Sequence, residues 1–383
     1  MVERVRKGVS LRSVARKFRV SLSTVQLWVE RARGRRLDRV DWSDRPRAPR
    51  KTRRTDSTTE ELVLRLRKEL KENSVLGEYG ALAIHHELVD RGYTRPPSVR
   101  TIGRILERRG VLDARRRIRR PPPPPGWYLP DVAHQRAELD SFDFIESLKI
   151  QNGPIVDIFN ATSLHGGLVA SWPTMEATAK FTVKRLLEHW QQFGLPTYAQ
   201  FDNDTRFQGG HQHRDVIGRV SRTCLLLGVT PVFAPPRETG FQAAIESFNS
   251  RWKAKVWTRF HHDSFTDLQQ HSWQYIRAVH RRAAQRIQAA PERLPFPDDW
   301  RLDLQAPPRG RLIYLRRSND NSRVYFLGRT FDLDTLWPHR LVRCEVHLTE
   351  EKIKFHALRR RAPESQPLLN QVSYVYPRKR FLE

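Results

Sequence analysis

Three acidic residues sit where side chains could do chemistry. Asp143 lies in SFDFIE, Asp202 in YAQFDNDTRF and Glu246 in AAIESFNSRWK. The chain around them is strongly basic, with 69 Lys and Arg against 42 Asp and Glu and a net charge of +27. Carboxylates that converge repel one another, and loss of solvent makes the repulsion worse. A divalent cation between them relieves it. Mg²⁺ takes oxygen ligands and keeps several waters, so few protein ligands are needed. Two such ions about 3.5–4 Å apart can activate an attacking oxygen and stabilise a leaving one in phosphoryl transfer. The competing reading of Asp202-Asn203-Asp204 is a plain turn, because short polar side chains bond their own backbone.

The elements that would have to position these acids can be read from the pattern. AELDSFDFIESL, GPIVDIFNATS and GGLVASWPT are strand-like, and MEATAKFTVKRLLEHWQQFG is a long helix closed by Gly194. TYAQFDN is a strand, RDVIGRVSRTCLLLG a helix, VTPVFAPP a strand and GFQAAIESFNSRWKAKVWTRF a long helix. Three strands that can meander, followed by strand–helix alternation, predict an α/β core with a mixed sheet over residues 131–262. If the first and fourth strands are neighbours, Asp143 and Asp202 meet at one edge, and the last helix brings Glu246. Asp140 and Glu146 compete with Asp143 for the first position, but alternation puts Asp140 and Asp143 on opposite faces of the strand.

Charge is concentrated ahead of this core. Residues 1–120 hold 33 Lys and Arg against 15 Asp and Glu, two-thirds of the whole excess. A polyanion partner follows, and double-stranded DNA comes first. Residues 1–35 contain two short helical patterns around a tight break at RVSLS, with Ser21 as N-cap of the second. This spacing predicts a helix-turn-helix, with Ser23, Thr24 and Gln26 facing base edges and Arg12, Lys17 and Arg19 facing phosphates. An ordinary helical hairpin is the alternative. Residues 34–56 read as a basic linker that orders on DNA. Residues 57–112 predict a second, three-helix domain whose last helix, capped by Ser98 and closed by Gly110, shows Arg100, Thr101 and Arg104 outward. Residues 113–130 are a basic, proline-rich linker with five consecutive prolines, an extended spacer.

Beyond the core, 263–303 reads as a helical extension. Short strands over 305–360 with turn residues between them predict a small all-β, SH3-like barrel. The basic stretch 361–383 reads as a loose tail. The two cysteines, Cys224 and Cys344, give neither a disulfide framework nor a zinc cluster. His85, His86, His211 and His213 lack partners at zinc-finger spacing and read as surface or packing residues. No apolar run of about 20 residues occurs and no apolar signal core follows the charged start, so a cytoplasmic, nucleoid-associated protein is expected.

Taken together, these motifs resemble the DDE transposase and integrase family. The family pattern Asp-Asn-Gly-x-x-Phe reads here Asp202-Asn203-Asp204-Thr205-Arg206-Phe207. Its Glu-Arg-Phe-Asn reads Glu246-Ser247-Phe248-Asn249, followed by Arg251 and Lys253. Asp143-Phe144 fits the first aspartate and its aromatic neighbour. The resemblance implies an RNase H-like fold for the core and Asp143, Asp202 and Glu246 as catalytic and metal-binding residues. It implies two Mg²⁺ or Mn²⁺ ions and no side-chain general base. It further implies Arg251 and Lys253 near the phosphates of a DNA end, and a homo-oligomer joining terminal inverted repeats to target DNA. A non-catalytic DNA-binding regulator and a plain RNase H-like nuclease are the alternatives. The departures are Asp204 in place of glycine, where it either makes the turn differently or joins the metal shell, and Ser247 in place of arginine. Glu238 follows Asp202 with 35 residues between them, the separation familiar from retroviral members, and Glu246 with 43. Glu238 lies in the loop-like PPRETG, so Glu246 is preferred.

Overall fold

The computed structural model describes residues 1–44, 55–112, 123–210, 213–333, 337–377 and 380–382. The middle of the first linker, most of the proline-rich linker and His211 lie outside the described residues. The chain divides into two compact units, Met1–Glu60 and Glu61–Glu383.

In the first unit, a short α1 (Val2–Arg6) is followed by α2 (Leu11–Phe18) and α3 (Leu22–Ala32), which form where serine caps precede apolar positions at helical spacing. The Ser10 and Ser21 hydroxyls accept the amides of Ser13 and Thr24. Arg19 adopts a left-handed conformation (φ 52°) and makes the tight turn between α2 and α3. Val14, Ala15 and Val25 meet beneath that turn.

α4 (Ser57–Asn73) begins at the end of the first unit and continues into the second, where it shares with α5 (Ala81–Asp90) and α6 (Val99–Arg108) a core of Val63, Leu66, Ile84, Leu88, Ile102, Ile105 and Leu106. Ser98 caps α6, and Gly110 follows it at φ 66°. The short α7 (Pro130–Ala133) then leads into the sheet. Strands β1 (Leu139–Lys149), β2 (Ile155–Ser163) and β3 (Val169–Thr174) form an antiparallel meander. After α8 (Ala179–Phe193), β4 (Tyr198–Phe201) pairs parallel with β1. The one-turn α9 (Thr205–Gln208) and α10 (Arg219–Leu226) precede β5 (Thr230–Phe233), which pairs parallel with β4. Next come α11 (Ala243–Trp252), a π-helical turn over Lys253–Trp257, and α12 (Phe265–Gln288), which packs on β3.

Both faces of the sheet are covered, so most residues of β1 and β2 are buried even where their sequences are polar. Phe142, Phe144, Phe159, Phe201 and Phe233 pack with α8 and α10 on one face. On the other face, Leu139, Tyr198 and Val232 pack with Trp127, Tyr128 and Leu129, while Ile158 and Val169 pack with Phe248 and Trp252 of α11.

The α/β core with a mixed sheet is as expected, but three boundaries differ. The strands of 305–360 form, as β6 (Arg311–Arg317), the hairpin of β7 (Arg323–Phe326) and β8 (Arg329–Asp332), β9 (Leu341–His347) and β10 (Lys352–Leu358). They do not stand apart from the core. β6 pairs parallel with β5, giving one nine-stranded sheet in the order β11-β10-β9-β6-β5-β4-β1-β2-β3. The tail is not loose either, because β11 (Leu368–Ser373) pairs antiparallel with β10 and the Tyr374 hydroxyl donates to Asp215 at 2.9 Å. Finally, the last residues of the proline-rich linker belong to the core, where Trp127, Tyr128 and Leu129 are buried. Their apolar bulk decides this against the composition of the linker before them. Among the described residues, no helix is long and apolar enough to cross a membrane.

Candidate active site

Strand register brings two of the acids together. β1 and β4 pair as Leu139↔Tyr198, Asp140↔Ala199 and Ser141↔Gln200. The same offset carried two residues further sets Asp143, within β1, beside Asp202, just past the end of β4. Such an end is where open α/β sheets place their ligand crevices. Asp140 serves the opposite face. It is fully buried, ion-paired with Arg293, and accepts the Trp190 indole N–H at 3.3 Å.

Glu246 arrives on α11. That helix buries Ile245, Phe248 and Trp252 against the sheet and leaves Glu246 exposed one turn from Asn249. The Asn249 side-chain amide donates to Asp143 Oδ2 at 2.8 Å and accepts from Asn160 at 2.8 Å. Asn160 is the β2 residue directly across from Asp143. Its own amide oxygen is buried without a partner among the described residues, a further oxygen atom beside the acids. Asn160 escaped the sequence reading. Its one signal was an amide inside the otherwise apolar run IVDIFNA.

The electrostatics follow from this crowding. Burial, then the charges of Asp202, Glu246 and Glu146, push the Asp143 carboxyl up to about 7 from 3.8. Asp202 is raised too, chiefly by burial, with Asp204 and Glu146 adding to it against the Asp204 amide and Arg206. These are mutually destabilising carboxylates with an all-oxygen donor set, the chemistry a hard divalent cation suits. Among the described residues, no three His, Cys, Asp or Glu side chains are close enough together to hold a metal ion as they stand.

The Asp202-Asn203-Asp204 segment is both a turn and part of the site. The Asp204 amide donates to Asp202 Oδ1 at 2.9 Å, and Asp204 caps α9 by accepting the Arg206 amide at 2.7 Å. Arg206 also ion-pairs with Asp204 and Glu146 and lies over the Phe144 ring at 4.3 Å. Burial opposes it, but the bonds from Arg206 hold the Asp204 carboxyl below its usual value. Asp204 thus makes the turn with its side chain where a glycine would make it with its backbone. Asn203 is anchored by donating to the Ala234 carbonyl at 2.7 Å and accepting from Arg316 at 2.9 Å. Glu238 is engaged elsewhere, by Arg317 and Arg360.

The residues read as DNA contacts fall into three groups. Arg12, Lys17, Arg19, Ser23 and Gln26 are exposed on α2, α3 and the turn between them. Thr24 is half-buried, its hydroxyl 2.8 Å from that of Ser21. On α6, Arg100 and Arg104 are exposed, and the Thr101 hydroxyl lies 3.0 Å from that of Ser98. Lys253 is exposed at the end of α11. Arg251 is exposed too, and lines a cleft of about 870 Å³ together with Ser247, Tyr128, Ser141, Gln200 and Phe241.

No family model and no curated protein matches this chain. Among solved structures it is similar to a chain of the simian T-cell lymphotropic virus intasome in complex with PP2A regulatory subunit B56 gamma. That match has 14% identity and a TM-score of 0.31, covering 58% of this chain and 75% of the other. It is also similar to the catalytic core domain of BIV integrase, at 18% identity and a TM-score of 0.27, over 37% of this chain and 80% of that one.

Proposed function

We propose that this chain is a DDE transposase with an RNase H-like core. In this reading it binds the terminal inverted repeats of its element and joins them to target DNA as a homo-oligomer, acting on the nucleoid in the cytoplasm. The observation that carries the reading is the meeting of carboxylates where β1 passes the end of β4, where burial, and then the charges of Asp202 and Glu246, lift Asp143 to about 7. A chain of net charge +27 has little use for such a cluster unless cations and phosphates meet there.

Asp143, Asp202 and Glu246 would hold one or two Mg²⁺ or Mn²⁺ ions, and the exposed Glu246 has the freedom to close on them. Bound ions supply Lewis acidity and charge neutralisation for phosphoryl transfer. The chain's own residues prepare that geometry. Asn249 orients Asp143, the Asp204 amide orients Asp202, and Arg206 offsets the charges of Asp204 and Glu146. Arg251, Lys253 and the cleft beside them suit a DNA backbone. In the first unit, the exposed polar residues of α3 suit the major groove and those of α2 the flanking phosphates.

The test is cleavage and joining of a duplex carrying the element's end. Wild-type protein should nick and join it with Mg²⁺ or Mn²⁺, and Asp202→Asn should lower the rate by three or more orders of magnitude. Cleavage unaffected by Asp202→Asn would reject this site. Cleavage without joining would assign a plain nuclease. One observation favours another reading, a DNA-binding regulator without catalysis: among the described residues, no three acidic, His or Cys side chains are placed to hold a metal ion as they stand. Specific DNA binding with no metal-dependent nicking would establish it.

A further inference from the structure

One buried chain of hydrogen bonds links β1 and β4 to the segment that leads into α11. The Ser141 hydroxyl on β1 donates to Gln200 on β4 at 3.1 Å. The Gln200 amide donates to the Tyr128 hydroxyl at 2.8 Å, and that hydroxyl donates to the Phe241 carbonyl at 3.0 Å. Ser141 and Gln200 lie two residues before Asp143 and Asp202, and Phe241 lies two residues before the first residue of α11.

The layer around this chain is apolar: Leu139, Tyr198, Val232 and Ile313 share the same face. Apolar residues at 141, 200 and 128 would serve a core equally well, and a buried polar chain is tolerated only when every member is satisfied. Tyr128 is itself held firmly. Its carbonyl accepts from Arg343 of β9 at 2.8 Å, and its ring lies 5.1 Å from that of Phe241. Asn249 fixes α11 to the sheet beyond Glu246, while Tyr128 fixes the approach to α11 before it.

We propose that Tyr128 is a positioning residue for the carboxylate site. Its hydroxyl sets the start of α11, and therefore Glu246, against the strands that carry Asp143 and Asp202. The inference rests on the metal-dependent reading above. It also gives the segment leading out of the proline-rich linker a direct mechanical connection to Glu246.

The test uses the full chain with Tyr128→Phe, which keeps the ring and removes both hydrogen bonds. Mn²⁺ binding is followed by calorimetry, and the Mg²⁺ dependence of cleavage is measured in parallel. A hydrogen-bonded partner of a metal ligand is worth about 10–100-fold in affinity or activity, and Tyr128 acts one step further out, through the Phe241 carbonyl. Tyr128→Phe should therefore weaken Mn²⁺ binding by up to about tenfold, with cleavage recovered at high Mg²⁺. Ile313→Ala, in the same layer but outside the chain of bonds and on a strand that carries none of the acids, should lower the melting temperature and leave Mn²⁺ affinity unchanged. Wild-type affinity in Tyr128→Phe would overturn the proposal, as would equal weakening by Ile313→Ala. Wild-type protein that binds no Mn²⁺ would overturn the underlying reading as well.

Discussion

Asp143 carries the clearest consequence at the scale of a single residue. Its folded-state value of about 7 lies above the ordinary 3.8, so the native state holds a proton that the unfolded chain releases. The associated stability is fully present below about pH 4 and is lost as the pH rises through about 7. In the presence of a chelator, the melting temperature should fall over that window. Asp143→Asn, which has no charge to repel its neighbours, should melt a few degrees above wild type at pH 8 and lose any stabilisation by Mg²⁺. Thermal melts across pH, with and without Mg²⁺, check both. A wild-type melting temperature that rises from pH 5 to 8 in chelator would contradict the crowding of these acids. Asn249 gives the companion prediction. Asn249→Ala strips a donor from Asp143 and leaves the Asn160 amide unpaired, at a cost of about 1–3 kcal/mol. Urea unfolding measures it directly.

At the scale of elements, the site is an accident of no single segment. β1 and β4 deliver two aspartates at one level because their parallel register is fixed by Leu139↔Tyr198. α11 delivers Glu246 because Phe248 and Trp252 must bury against β2 and its neighbours. The C-terminal strands matter to the same sheet. β6 covers the edge of β5, and Leu312 and Tyr314 join the aromatic core that also holds Phe201 and Phe233. Removing residues 305–383 would bare that edge and part of that core, and exposed apolar edges template aggregation. The truncated chain should be insoluble or melt without cooperativity. A well-folded, soluble 1–304 fragment would instead mean that these strands are an independent domain.

The whole molecule presents a net charge of +27. DNA binding should therefore weaken steeply with salt, because each neutralised phosphate releases a condensed counterion. If six to ten phosphates are contacted, affinity falls by about 10³–10⁵ between 50 and 200 mM salt. Fluorescence anisotropy with a labelled duplex reads the slope. A nearly flat dependence would show that the basic surface faces something other than DNA. With two-thirds of the charge excess in residues 1–120, substitutions of Arg12, Lys17 or Arg19 should each reduce that slope by about one.

The sequence by itself determined the longer helices and several of their ends, because caps and apolar spacing act locally, while the short α1, α7 and α9 escaped it. Ser21, Ser98 and Gly194 mark termini where the chain indeed starts or stops a helix. It also determined which face of β1 each acid takes, since alternation alone turns Asp140 away from Asp143. The long-range pairings were decided by tertiary structure. Nothing local in RLIYLRR says that β6 will pair with β5 rather than close a small barrel, and nothing in PPPGWYLP says that Tyr128 will reach Gln200. Strand edges offer the same backbone groups to any partner. Which partner wins depends on where the bulky side chains of the rest of the chain can be buried.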